Sequence, residues 1–339
     1  MDSPNSGGGE GRTEGGLDEF TAIELMRAQF EAAARHLRSG GVVPPVGDTW
    51  IGDDAAVVRP HLPDGTGTGR AVLATDLVVA GVHADLGLSG LDDVGYKALM
   101  VTVSDFAAMG VRPEYALVSV AAPAGTNIER LGAGLAQASQ DASCVIVGGD
   151  LSESPVLVVS TVAVGWVAAA DDPPLLRSGA RPGDRLFVTG PLGRSAAGLR
   201  LLRQGPESGG PAAAGLVRAH RRPVARLAEG EAARRAGASA AIDLSDGLVP
   251  DLGHLAEASD IGAELELVPV ADLATREEAL TGGEDYELLV ATGRPERLVG
   301  AFRSAGLPPP IPVGTCTGRP GEYTLEDGPL PSGGWRHRF

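Results

Sequence analysis

The sequence predicts an α+β protein of two mixed α/β domains, and three observations carry that prediction. Its 339 residues exceed the span over which a single hydrophobic core keeps growing. Hydrophobic residues at 43% and charged residues at 21% give the balance of a folded globular chain. Short β-type runs and helical apolar patterns intermingle without strict βαβ alternation, which argues against a doubly wound sheet.

Residues 1–18, rich in glycine and lacking a basic start and an apolar core, read as a disordered tail and not as a signal peptide. A helix is predicted from Asp18, because Phe20, Ile23, Leu25, Met26 and Phe30 recur at helical spacing before Gly40-Gly41. Segments 55–58 and 71–75 read as strands. Asp92-Asp93 opens a second helix that runs through Tyr96, Leu99, Met100, Val103 and Phe106 and stops at Gly110, with Pro113 following. Strands are expected over 115–121 and 156–167, with a helix over 128–138 between them. Asp171-Asp172-Pro173-Pro174 marks the domain boundary, giving a first domain over 19–170 and a second over 171–339. In the second domain, strands are expected at 185–188, 240–242, 264–268 and 286–291. Helices are expected at 195–202, 223–236, 248–258 and 295–305, with a Gly/Pro-rich loop at 205–210.

A formal net charge of −16 argues against nucleic-acid or anionic-membrane binding, both of which reward basic footprints. Polyanionic substrates would be repelled as well, unless metal ions intervene. Of 28 basic residues only Lys97 is a lysine, and it lies in Asp93-Val94-Gly95-Tyr96-Lys97-Ala98-Leu99 instead of behind a glycine-rich loop, so no P-loop is present. Cys144 and Cys316 stand alone without Cys-x-x-Cys spacing, which fits a reducing cytoplasm and no structural zinc. The longest apolar stretch, 156–170, is broken by Ser160, Thr161 and Gly165 and is too short to cross a bilayer.

Acidic residues recur at the ends of apolar runs beside Gly, Ser or Thr: Gly52-Asp53-Asp54, Thr75-Asp76, Ser104-Asp105, Gly148-Gly149-Asp150, Asp243-Leu244-Ser245-Asp246 and Gly282-Gly283-Glu284-Asp285. If these carboxylates converge, each pair ~4 Å apart repels by about 4 kcal/mol at a typical effective dielectric, so bound cations must hold them together. Oxygen-only ligands select hard divalent ions, and Mg²⁺ normally brings phosphate with it. Each segment also has a plain alternative. Asp54 fits a turn carboxylate, and one acid of the 243–246 segment fits a helix N-cap. Asp76 is expected at a strand end, with Thr75 offering a hydroxyl or carbonyl oxygen. Asp105 lies between apolar Val101 and Met109 on a core-facing stripe, so a metal or a distant arginine must compensate it. Asp150 is expected where a strand meets a loop whose glycines admit phosphate. Arg177 fits either a phosphate grip or a solvated turn arginine. His83 and Trp335 are individually weak signals.

Taken in chain order, these segments resemble the thiamine-monophosphate kinase family, within the superfamily that includes aminoimidazole ribonucleotide synthetase and selenophosphate synthetase. The resemblance rests on Ile51-Gly52-Asp53-Asp54-Ala55-Ala56, the 75–83 run from Thr75-Asp76 to His83, Ser104-Asp105-Phe106-Ala107-Ala108-Met109-Gly110, Gly148-Gly149-Asp150, Arg177-Ser178-Gly179-Ala180, Ile242-Asp243-Leu244-Ser245-Asp246-Gly247 and Gly282-Gly283-Glu284-Asp285-Tyr286-Glu287-Leu288. It covers the chain from about Glu19 onward.

The resemblance implies transfer of the ATP γ-phosphate to thiamine monophosphate by direct in-line displacement, giving thiamine diphosphate, the last step in making that cofactor. It implies several Mg²⁺ ions held by Asp54, Thr75, Asp76, Asp105, Asp150, Asp243 and Asp246. ATP would touch Gly149, Asp150, Arg177 and Ser245, and thiamine monophosphate would touch His83, Glu284 and Trp335, with no covalent nucleophile or general base. It further implies a cytoplasmic homodimer joined through N-terminal-domain sheets. The chain departs from the family pattern at Ala74, where Ser or Thr is usual, and in its ending Gly334-Trp335-Arg336-His337-Arg338-Phe339. An aminoimidazole ribonucleotide synthetase-type enzyme and a non-catalytic nucleotide or metal sensor are the competing readings. A selenophosphate-type enzyme would need a reactive Cys near the N-terminus, and none precedes Cys144.

Overall fold

Two mixed sheets organise the chain. In the computed structural model, residues 49, 53–58, 69–167, 173–205, 210–326, 328–331 and 333–334 are described, and all lie in one compact unit, Val46–Trp335. The expected tail at 1–18, the helix expected from Asp18, most of the 205–210 loop and Trp335 lie outside the described residues.

The first sheet contains β1 (Ala56–Val58), β2 (Arg70–Val79), β3 (Pro113–Ala122), β4 (Val145–Glu153) and β5 (Val158–Val167), in the order β1-β2-β5-β3-β4. All its pairings are antiparallel except β3 with β4. Two helices, α1 (Leu91–Ala108) and α2 (Ile128–Ala142), accompany it. Asp92 and Asp93 occupy the first turn of α1, where the helix dipole favours anions, and Gly110 closes the helix at φ +65°. The helix is buried on nearly every side, from Val94 to Ala108. Asp105 therefore lies on a helix with almost no solvent face, and not on the single core-facing stripe inferred from its neighbours.

The second sheet contains β6 (Arg185–Val188), β7 (Ala240–Asp243), β8 (Gly262–Leu265), β9 (Leu288–Thr292), β10 (Ile311–Thr317), β11 (Tyr323–Leu325) and β12 (Gly328–Pro329), in the order β12-β11-β8-β10-β6-β9-β7. Its helices are α3 (Arg194–Gln204), α4 (Gly210–Arg221), α5 (Leu227–Ala236), α6 (Leu248–Ser259), α7 (Arg276–Thr281) and α8 (Pro295–Ser304). One apolar core joins the first sheet and α1 to Phe187, Leu227, Ala233, Leu288, Leu298 and Phe302, and another lies between the second sheet and α6.

Several expected boundaries move for identifiable reasons. β2 continues four residues past Thr75, so Asp76 stands inside a strand and not at its end. β4 likewise runs through Gly148-Gly149-Asp150, so this segment is strand and not strand-to-loop. The helix expected at 223–236 begins only at Leu227, and an Ala-rich helix, α4, precedes it; Pro223 punctuates the two because it disfavours helical backbone at Arg222. β9 starts at Leu288 and not at 286 because Tyr286 takes φ +50°. The strands β10, β11 and β12 and the helix α7 carry too little periodicity to stand out in the sequence. Both cysteines are free and buried, and no helix among the described residues is long and apolar enough to cross a membrane.

Candidate active site

The site is built where the inner face of the first sheet, α1 and the end of β7 meet. Along β2, Ala74, Asp76 and Val78 share the face that looks toward α1, whereas Thr75 and Leu77 point outward, as strand alternation requires. Thr102 of α1 hydrogen-bonds Thr161 of β5, and Thr161 Oγ1 also donates to the Ala98 carbonyl at 2.8 Å, which pins the helix to the sheet. That register brings Asp105 onto Asp76, with Thr102 beside them, close enough for each carboxyl to act on the other.

Asp54, just before β1, and Asp243, the last residue of β7, complete the group. Asp54, Asp105 and Asp243 each place a carboxylate oxygen within 4.8 Å of the others. Ser104 Oγ donates to Asp243 Oδ2 at 2.6 Å, and Arg177 Nη2 donates to Asp54 Oδ1 at 2.9 Å. Asp53 lies directly beside them and accepts from the Arg177 backbone N–H at 3.1 Å.

Burial and mutual repulsion dominate the electrostatics. Burial first, then the Asp54 charge, pushes Asp53 up to about 7 and Asp243 up to about 8. Burial, then Asp76, Asp243 and Asp54, holds Asp105 well above the usual carboxylate range, and burial likewise raises Asp76. Burial disfavours the Arg177 charge, but Asp54 and Asp53 more than offset it and keep the guanidinium protonated. Five carboxyl groups thus share one arginine. Asp54 Oδ2 and Asp76 Oδ2 are buried without a hydrogen-bond partner, and a buried polar oxygen left so is costly. Oxygen-only donors, surplus negative charge and orphaned buried oxygens fit a hard divalent cation such as Mg²⁺.

A second group lies beside the first. Past β7, Asp246 approaches Asp251 and His254 of α6, with ligand-type atoms all within 4.8 Å. Asp251, fully buried, accepts from the Asp246 and Gly247 backbone N–H groups at 3.0 Å each and so fixes the Ser245-Asp246-Gly247 turn.

The Gly282-Gly283-Glu284-Asp285 segment runs alongside this turn. Glu284 N–H donates to the Ser245 carbonyl at 2.7 Å and Tyr286 N–H to the Leu244 carbonyl at 2.9 Å, prolonging the β7–β9 pairing. A Cβ on Gly283 would lie 2.5 Å from the Ser245 carbonyl oxygen, so only glycine permits this approach. Glu284 at φ +67° and Tyr286 at φ +50° both hold left-handed backbone, the kind of strain that collects at functional loops. Glu284 Oε1 meets Lys97 Nζ at 2.5 Å, and its Oε2 lies 3.3 Å from His220 Nδ1. Burial would raise the Glu284 carboxyl, but Lys97 and then His220 outweigh it and hold it down at about 2. His83 follows β2; its Nδ1 accepts from the Val79 N–H at 3.1 Å, and its carbonyl accepts from Lys97 Nζ at 3.0 Å.

Of the residues singled out in the sequence, Asp54, Asp76, Asp105, Asp243 and Arg177 therefore meet, and Ser245, Asp246, Glu284 and His83 lie on segments hydrogen-bonded around them. Thr75 and Asp150 do not join this group. Asp150 is exposed, with Ser152 Oγ at 3.4 Å, and pairs with Ser119, which pairs in turn with Ser160 and so continues the row of Leu77 on the outer face. Gly149 pairs with Val118, and a Cβ there would lie 1.7 Å from the Val118 carbonyl oxygen, so its lack of a side chain is explained by close approach of the neighbouring strand. Sequence reasoning passed over Asp53, Ser104, Asp251 and His220 as site residues. Asp251 carries a usable signal, an acid in the first turn of a helix directly after an acidic turn; His220 carries none, because it sits on the unexpected helix α4.

Comparison with known proteins places the two halves of the chain in one family. Residues 52–167 match the AIR synthase related protein N-terminal domain and residues 181–325 the corresponding C-terminal domain. The chain is 35% identical over 299 residues to the thiamine-monophosphate kinase of Corynebacterium glutamicum, covering 84% of each chain. It is 37% identical over 308 residues to that of Mycobacterium tuberculosis, covering 89% of this chain and 84% of the relative. The solved structure of AaThiL complexed with AMPPCP and TMP superposes with a TM-score of 0.79 at 31% identity, covering 95% of this chain and 97% of that one. With both domain types present and thiamine-monophosphate kinases matched over 84% of their length at 35–37% identity, the chain belongs to the thiamine-monophosphate kinase family.

Proposed function

We propose that this chain transfers the γ-phosphoryl group of ATP directly to the phosphate of thiamine monophosphate, with Mg²⁺ as the counter-charge. The single observation that carries the reading is the buried cluster of Asp54, Asp76, Asp105 and Asp243, in which Asp54 Oδ2 and Asp76 Oδ2 have no hydrogen-bond partner and Arg177 is, among the described residues, the one cation against four carboxyl groups. The relatives named thiamine-monophosphate kinase and the AaThiL complex with AMPPCP and TMP support the choice of substrates.

Asp54, Asp76, Asp105 and Asp243 would hold Mg²⁺, with Asp246 beside them on the turn fixed by Asp251. Bound there, the ions would neutralise charge on the phosphates and on the group being transferred. Arg177 adds a guanidinium beside Asp54 for phosphate contact, and the Ser245 turn lies within reach of the same space. His83, Glu284 and Trp335 are assigned to the acceptor. An acceptor oxygen attacks the γ-phosphorus while the bond from that phosphorus to the β,γ-bridging oxygen breaks, so ADP leaves with the bond's electron pair. A phosphate acceptor is largely ionised near neutral pH, its second pKa being about 6, so the residues need to align and exclude water more than to remove a proton.

The reading also includes a homodimer. Leu77, Tyr115, Leu117, Val162 and Trp166 are exposed apolar residues on the outer face of the first sheet, the face that carries Thr75 and Asp150. In a dimer paired through that face, Thr75 and Asp150 would lie at the junction of two copies, which accounts for their separation from the acid cluster within one chain. The functional halves 19–170 and 171–339 and a cytoplasmic setting belong to the same reading, the latter supported by two free, buried cysteines.

The test is incubation of the purified protein with ATP, Mg²⁺ and thiamine monophosphate, with products resolved by phosphorus NMR. Thiamine diphosphate and ADP should accumulate together and only with the metal present. Their absence would overturn the reading.

A further inference from the structure

Lys97 is the only lysine among 28 basic residues, so composition strongly favours arginine everywhere except at this position. It is also buried, with 3% exposure, in the middle of α1. Buried cations are rare unless paired, and here the pairing is specific. Nζ lies 2.5 Å from Glu284 Oε1 and donates to the His83 carbonyl at 3.0 Å. The second Glu284 oxygen meets His220 Nδ1, which is also 3.0 Å from Ser195 Oγ. One ammonium on α1 therefore ties the turn after β2 to the strained Glu284 loop, two segments two hundred residues apart in sequence.

An ammonium suits this place better than a guanidinium. It is a compact point charge whose three donors can be aimed at a carboxylate and a carbonyl that converge on one point, whereas a planar fork matches two parallel acceptors. Elsewhere in this protein the fork is used in that manner: Arg185 on Glu266, Arg200 on Glu278 and Arg226 on Glu287 each reach both carboxylate oxygens.

We propose that Lys97 is a positioning residue for the acceptor substrate: it does not touch the transferred phosphoryl group, but sets the placement of Glu284 and of the His83 turn against thiamine monophosphate. This rests on the assignment of His83 and Glu284 to the acceptor side. Loss of the correct geometry should then weaken binding of the acceptor and leave the nucleotide side, held by the acid cluster and Arg177, unaffected.

A single lysine makes the test direct. In protein labelled with lysine carrying carbon-13 at the ε position, the side chain of Lys97 gives the only ε-methylene resonance. Saturating thiamine monophosphate should shift that resonance, and Glu284→Gln should shift it in the free protein. In steady-state kinetics, Lys97→Arg should raise KM for thiamine monophosphate about tenfold, the worth of one charge-assisted hydrogen bond, with kcat and KM for ATP within about twofold. A resonance unmoved by thiamine monophosphate in protein that makes thiamine diphosphate overturns the proposal and leaves the kinase reading standing. A Lys97→Arg enzyme with wild-type KM for the acceptor, or with both KM values raised equally, overturns it too. Wild-type protein that makes no thiamine diphosphate overturns the kinase reading instead, and if Lys97→Arg does not fold, the resonance decides alone.

Discussion

The acid cluster around Asp54 and the network around Glu284 both act on Tyr286, whose phenol is raised well above its usual range first by burial and then by Glu284, Asp76, Asp243 and Asp105. The two regions handle buried charge in opposite ways. Glu284 meets a cation or donor at each oxygen, and deeper in the same segment Glu287, 1% exposed, is gripped by Arg226 and Thr189. In the cluster, Asp53, Asp54, Asp76, Asp105 and Asp243 have Arg177 as their one cation among the described residues, and two buried oxygens have no hydrogen-bond partner. A chain that pairs buried carboxylates so completely a few residues away has not run out of arginine. The uncompensated cluster is a place whose counter-charge must arrive from solution.

Removing one acid from the cluster should produce the largest effect. Asp105→Asn is expected to lower kcat by about 10³-fold or more, since a site of this kind does most of its work by charge stabilisation. The metal-free variant should melt no lower than wild type, because burial and the neighbouring acids already favour the uncharged form of Asp105 and a neutral amide of the same shape replaces it. Full activity would return Asp105 to a structural role and dissolve the contrast between the two regions.

The paired region should respond in the reverse sense. Arg226→Ala leaves Glu287 buried without its cation and should cost about 3–5 kcal/mol of stability, measured by urea unfolding. A loss below about 1 kcal/mol, the worth of an exposed pair, would mean that pairing is not what secures this segment.

Acidity separates the regions further. Asp243, raised to about 8, contributes stability that is complete below the ordinary value of 3.8 and lost as pH rises through about 8. Mg²⁺ should therefore raise the melting temperature more at pH 8 than at pH 6, and its binding should release protons. Glu284, held down at about 2, contributes stability that is complete above 4.5 and lost as pH falls toward 2. Melting curves across pH, with and without the metal, would show whether the two limbs have these opposite signs.

The smallest effect is expected on the outer face of the first sheet. Asp150→Ala should change the folding stability of the chain by no more than about 0.5 kcal/mol, as for other exposed side chains without a buried partner. A larger loss, read by urea unfolding, would place Asp150 in contacts that its outward position in β4 does not provide.

Much of this was legible in the residues themselves. The α+β class followed from intermingled helical and β-type periodicities, and Asp54, Asp76, Asp105 and Asp243 were each marked by an acid set beside small residues at the edge of an apolar run. Both signals are local, because strand and helix periods and the cost of burying a charge act within a few residues. What only the tertiary structure decided is which face each side chain takes and what it meets. Thr75 and Asp76 are neighbours in the chain, yet strand alternation sends them to opposite sides of the sheet. Lys97 looked unremarkable beyond its rarity until folding set Glu284 and the His83 carbonyl against it. Pairing of this kind spans long loops, and no local pattern encodes it.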